Sequence, residues 1–227
     1  LSVSRLKTDF QTAGKTTKAI RDVSFHIGRG ECLALVGESG SGKSVTALSL
    51  TGLVASPPAV ITGGKILFEG TDLLSLKFEQ MREYRGKRIA YVFQDPNSSL
   101  HPLHSICDQL IESIKVHDGS MGRRALEAKA VQLLKDVRIA SPEHVMKSYP
   151  HELSGGMRQR VGIAIALAND PELIIADEPT TALDVTVQAQ ILHILNRLRR
   201  ERGLALLFIS HDMNVVAQIS DRIAVMY

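Results

Sequence analysis

Gly37-Glu38-Ser39-Gly40-Ser41-Gly42-Lys43-Ser44 reads G-x-x-x-x-G-K-S, the spacing of a phosphate-binding P-loop. Its glycines let the backbone curl so that N–H groups converge on phosphate oxygens. Lys43 is placed to reach the β- and γ-phosphates of a nucleoside triphosphate, and the Ser44 hydroxyl is a ligand for Mg2+. Further along, the apolar run Leu173-Ile174-Ile175-Ala176 ends in Asp177-Glu178, a Walker B pattern. An acid at a strand end beside a P-loop holds Mg2+ directly or through water, which assigns Asp177 to the metal. Glu178 points to the opposite side of the chain, where it can orient and polarise a water for attack on the γ-phosphate. Alone, the acidic pair reads equally well as a helix N-terminal turn. The P-loop in the same chain decides for the metal site, but not what the triphosphate's energy is used for.

The flanking segments position these groups. Cys32 to Val36 reads as a buried strand and Val45 to Leu50 as a helix start, the strand–loop–helix context a P-loop requires. The positive end of the helix dipole adds to the anion site. Residues 1–30 read as a β-hairpin, with Val23, Phe25 and Ile27 alternating with Ser24 and His26, then a turn at Gly28-Arg29-Gly30. Gly63-Gly64 is expected to open a short strand, Lys65 to Phe68, that Gly70 closes, and Ile89 to Phe93 reads as another buried strand. From Asp95 to Pro150 the chain is loop-rich at first and then helical across Arg124 to Leu134. Beyond Glu172 the pattern returns to strand, helix (Val187 to Arg200) and strand (Ala205 to Ile209). The alternation predicts an α/β fold with a mainly parallel sheet, interrupted by a helical insertion.

The 227 residues carry a net charge of only +3, with basic residues scattered, so nothing invokes nucleic acid. Cys32 lies in a buried strand far in sequence from Cys107, which argues against a disulfide and for a reducing compartment. No apolar run is long enough to span a bilayer, which takes about 20 residues. The absent initiator Met, and the chain's end inside the apolar run Ile223 to Tyr227, lead us to expect a longer polypeptide.

Leu153-Ser154-Gly155-Gly156-Met157-Arg158-Gln159-Arg160 precedes a helix rich in Ile and Ala. A Ser and two glycines at a helix N-terminus form a second anion site, or a glycine-rich N-cap. Placed upstream of a Walker B strand, this run resembles the signature of ATP-binding-cassette (ABC) ATPases. Gln94 is similar to that family's Q-loop glutamine, Ala182-Leu183-Asp184 to its D-loop and His211 to its switch histidine. Phe10 is similar to the aromatic that stacks on adenine, with Phe where many members have Tyr, though a packed core Phe reads equally well. The resemblance covers the whole chain. It implies a P-loop core with an N-terminal antiparallel β subdomain (core and β subdomain together 1–94 and 158–227) and an inserted helical signature subdomain (95–157). It also implies ATP with Mg2+, the metal held by Ser44, Gln94 and Asp177, in a head-to-tail dimer. There Lys43 faces Ser154-Gly155-Gly156 of the second subunit, residues Gly37 to Val45 wrap the phosphates, Glu178 handles the water, His211 contacts the γ-phosphate, and Asp184 bridges the subunits.

A finer resemblance, to importer ATPases for dipeptides, oligopeptides and nickel, lies in Gly37 to Thr46, Tyr149 to Met157 and Ala176 to Val185. Gln94 to Pro102 also fits, except that His101 replaces the usual Asn. This implies a second ABC ATPase (identical, different or a fused second cassette), two membrane permeases, and indirectly a substrate-binding protein. It implies a place on the cytoplasmic face of the inner membrane. The alternative is a soluble ABC ATPase of translation or DNA repair. His101, His104 and Cys107 have a tempting metal spacing, but Pro102 blocks a regular helix across them. The charges from Arg197 to Arg202 read as a solvated helix end.

Overall fold

Two sheets carry the fold. The computed structural model describes residues 1–12, 14–95, 99–181 and 183–227. Pro96, Asn97 and Ser98 of the Q-loop stretch and Ala182 of the D-loop lie outside the described residues. The first sheet is antiparallel, in the order β2-β1-β4-β5, from β1 (Ser2–Thr12), β2 (Lys15–His26), β4 (Ala59–Phe68) and β5 (Thr71–Asp72). The second is wholly parallel, in the order β6-β7-β8-β3-β9. Its strands are β3 (Cys32–Gly37), β6 (Ile89–Val92), β7 (Leu173–Asp177), β8 (Ala205–Ile209) and β9 (Arg222–Met226).

Strand alternation divides the core into two layers. Leu33, Leu35, Ile89, Leu173, Ile175, Leu207 and Ile209 face α1 (Lys43–Leu50) and the antiparallel sheet, packing with Leu6, Ile20, Ile66 and Leu50. Cys32, Ala90, Val92, Ile174, Ala176, Leu206 and Phe208 face the opposite way. There they meet α3 (Ile106–Lys115), α4 (Arg123–Asp136), α6 (Gly155–Ala166) and α7 (Val185–Arg202). Each fully buried Leu or Ile contributes about 1.5–3 kcal/mol. Two short helices, α2 (Phe78–Arg82) and α5 (Pro142–Val145), join these layers, and α8 (Met213–Ile219) precedes β9. Among the described residues no helix is long and apolar enough to cross a membrane.

Three expectations need correction. Gly63-Gly64 does not open a strand: β4 runs through both glycines. Gly64 has φ 103°, and a Cβ there would lie 2.5 Å from the Leu6 Cα, so the pair lets β1 and β4 approach at an irregularity in their pairing. The stretch before Arg124 holds a full helix, α3, which Ser105 caps by accepting from the Asp108 N–H at 3.1 Å. Its buried Ile106, Leu110 and Ile114 repeat at helical spacing, a signal masked by the loop-forming residues that precede it. The end of α7 is not simply solvated. Arg199 is 7% exposed, and its guanidinium pairs with Asp221, whose carboxylate also accepts from the Cys32 N–H at 2.8 Å.

Candidate nucleotide site

Parallel register brings the sequence motifs together. Leu35 and Asp177 both lie level with Ile209, and Ala176 lies level with Val92. The carboxyl ends of β3, β8, β7 and β6 therefore end side by side. From them emerge the P-loop, His211, the Asp177-Glu178 pair and Gln94. This is the edge at which open α/β sheets hold ligands.

Within the P-loop, Lys43 is only 6% exposed. Its Nζ donates to the carbonyls of Gly37 at 2.8 Å and Glu38 at 2.9 Å, which ties the loop into a curl over its own ammonium. Glu38, Ser39 and Gly40 are exposed along the rim, while Ser41 Oγ is buried with no partner among the described residues. Gly42 caps α1 with φ 95°, and a Cβ there would lie 2.8 Å from the Ala19 carbonyl. Ala19 is the extra residue of a bulge in β2, between the pairs Thr8–Ile20 and Asp9–Lys18. The bulge thus aims a carbonyl at the P-loop, a contact that sequence reading missed. The buried hydroxyls of Thr8 and Ser49, 3.2 Å apart, fasten β1 to α1 on the same side.

The two carboxylates divide as their positions demand. Asp177 continues the face of Leu173 and Ile175 toward α1, where its Oδ1 accepts from the Ser44 hydroxyl at 3.1 Å. Burial pushes its carboxyl up, the Glu178 charge adds to that, and hydrogen bonds from Tyr91 and Ser44 only partly offset it. Glu178, just past the strand end, has a left-handed backbone, φ 46°, which costs an L-residue about 1–2 kcal/mol. Its N–H donates to the Ile209 carbonyl at 3.0 Å. Glu178 Oε1 lies 3.1 Å from His211 Nδ1, while Oε2 accepts from Gln94 at 2.9 Å and from Thr181 at 2.9 Å. Burial pushes this carboxyl up, but the hydrogen bonds from His211 and Thr181 and the charges of His211 and Lys43 outweigh it, holding it below its usual value.

A hydroxyl and a buried carboxylate facing one another are hard oxygen donors, and the burial of Asp177 favours a cation beside it, so the pair fits Mg2+. The Gln94 amide is turned to Glu178 rather than to this pair. Phe10 is half-buried on β1, level with Thr17 and Ala59. Ser154, Gly155 and Gly156 stand at the start of α6, where Ser154 accepts from the Met157 N–H at 3.3 Å. Their neighbours are Leu183 and Val187 rather than the P-loop: a Cβ on Gly156 would lie 2.5 Å from Val187 Cγ1. Asp184 caps α7 by accepting from the Val187 N–H at 2.9 Å.

The family model described as ABC transporter matches residues 20–181. The chain belongs to the ABC transporter family. It is 52% identical over its whole length to a probable peptide ABC transporter ATP-binding protein, y4tR, of Sinorhizobium fredii, covering 68% of that protein. It is 49% identical to the oligopeptide transport ATP-binding protein OppD of Bacillus subtilis, covering 63% of it. Among solved structures, the dimeric post-hydrolysis ATP-binding cassette MJ0796 bound to ADP and Pi superposes with a TM-score of 0.87 at 29% identity, covering 99% of this chain and 93% of that one. The expected architecture, an antiparallel β sheet beside a parallel P-loop sheet with helices, is the one observed in this ABC cassette.

Proposed function

We propose that this ABC cassette is the ATP-hydrolysing subunit of an importer for peptides. The observation that carries the reading is the convergence of Lys43, Ser44, Asp177, Glu178, His211 and Gln94 on one sheet edge. The transport of peptides rests on the relatives' names, which do not favour the soluble alternative.

In this reading the backbone from Gly37 to Val45 binds the triphosphate, with Lys43 donating to its β- and γ-oxygens. Ser44 and Asp177 would hold Mg2+; Gln94, whose amide rests on Glu178 in this structure, would be its third protein ligand. The bound metal neutralises charge on the phosphates. Glu178 accepts a hydrogen bond from the attacking water and aims it, while His211 holds Glu178 and faces the γ-phosphate. Phe10 stacks on the adenine. Ser154, Gly155 and Gly156 of a second cassette close over the same nucleotide, and Asp184 bridges the two. That second cassette is an identical chain, a different one or a fused neighbour. Closure is passed through the groove beside Gln94 to two permease subunits at the cytoplasmic face of the membrane, to which a substrate-binding protein delivers the solute.

Steady-state hydrolysis measured with and without cognate permeases in detergent tests the reading. Stimulation by the permeases is expected; an unchanged rate with every cognate permease would return the soluble alternative.

A further inference from the structure

Tyr91 enters none of the roles above, yet it touches the metal-site carboxylate. On β6 it lies level with Ile175 of β7. Residues two apart on a strand share a face, so Tyr91, Ile175 and Asp177 all project toward α1. A tyrosine is long enough to reach its diagonal neighbour, and the Tyr91 hydroxyl donates to Asp177 Oδ2 at 2.8 Å. The other oxygen, Oδ1, is the one that faces Ser44. The Tyr91 ring is half-buried and packs on the Phe93 ring with centroids 4.5 Å apart. Mg2+ demands near-ideal octahedral geometry, with oxygens at about 2.0–2.1 Å, and is therefore sensitive to how a carboxylate is turned.

We propose that Tyr91 is a positioning residue for the metal site: its hydroxyl occupies Asp177 Oδ2, so that Oδ1 is presented to Mg2+ beside the Ser44 oxygen. The proposal rests on Asp177 being a metal ligand. Hydrogen-bonded partners of metal ligands typically change metal affinity 10- to 100-fold when removed.

Mn2+ serves as the probe. Its affinity for the 227-residue chain with a non-hydrolysable ATP analogue is read by electron paramagnetic resonance. Nucleotide affinity without metal is read from a fluorescent ATP analogue in EDTA. Tyr91→Phe keeps the ring, and Tyr91→Met keeps an apolar side chain; both lose the hydroxyl. Each is expected to weaken Mn2+ binding about 10-fold and to raise the half-saturating Mg2+ for hydrolysis by a similar factor, with nucleotide affinity in EDTA unmoved. Wild-type Mn2+ affinity in either folded variant overturns the proposal. So does an equal loss of nucleotide affinity in EDTA, which would mark a general packing role. Asp177→Asn separates the two layers of the argument: if it keeps its Mn2+ affinity, the assignment of Asp177 itself falls, whatever Tyr91 does.

Discussion

The two helix N-termini that we propose as anion sites are not equivalent. At α1 the helix start carries Lys43 and Ser44 and is surrounded by Asp177, Glu178, Gln94 and His211. At α6 the start carries only Ser154 and two glycines, with no acid in its first turn. The cavity of about 460 Å3 beside it is walled by Val145, Met157 and Val187 and by the basic Arg138 and Arg160. One end can hold a phosphate, a metal and a water. The other offers N–H groups and positive potential alone, so it can complete a site but not make one. A molecule with both on separate elements is suited to share each nucleotide between two copies of the motif set.

The difference between the two ends depends most on Glu178. Glu178→Gln is expected to lower hydrolysis by about 10²–10⁴-fold, the range for a lost general base. ATP binding stays, and size-exclusion chromatography with ATP is expected to show a trapped dimer. A normal turnover rate in that variant would move the water-orienting role elsewhere. Lys43→Ala should weaken ATP binding to the isolated chain by about 10- to 100-fold, since hydrogen bonds from a charged donor are worth roughly 1.5–3 kcal/mol; calorimetric titration measures this. Ser154→Ala should leave that binding unchanged while lowering hydrolysis and ATP-driven dimerisation. Loss of its cap also costs about 1 kcal/mol in chemical denaturation. If Ser154→Ala weakened binding in the monomer, the two ends would not be separate half-sites.

Away from both ends, Asp221 offers a pH test. Burial pushes its carboxyl up, but the Cys32 N–H and the Arg199 guanidinium prevail and hold it below its usual value. Its contribution is then fully present above the unfolded carboxylate range and is lost as pH falls through the lower folded value. The side chain is 48% exposed, so solvent screens much of the effect. The melting-temperature gap between wild type and Asp221→Asn should therefore be small at neutral pH and close as pH is lowered toward 3. The smallest effect is expected for Thr8→Val, which removes one buried hydroxyl contact with Ser49 at a cost of about 1 kcal/mol and leaves nucleotide binding untouched.

Much of the P-loop end is legible in the sequence. Gly37 to Ser44 and the acids after Ala176 are contiguous motifs, and their chemistry follows from residue type and spacing. The contacts among them were less readable. The bonds from Gln94, Thr181 and His211 to Glu178 join residues from three strand ends. The Ala19 bulge against Gly42 depends on strand register, which a hairpin pattern does not reveal. Tyr91 carried a usable signal: it sits on the same strand face as Ile89, within a strand expected to be buried. Without knowing that β6 pairs with β7, nothing connects it to Asp177.

By itself the sequence determined the local devices: a loop that must curl around phosphate, an acid at a strand end, a glycine-rich start to α6 and the alternation that makes a parallel sheet. Those depend on short-range sterics and on which faces are apolar. The tertiary structure alone decided which devices meet, because parallel register sets four strand ends level.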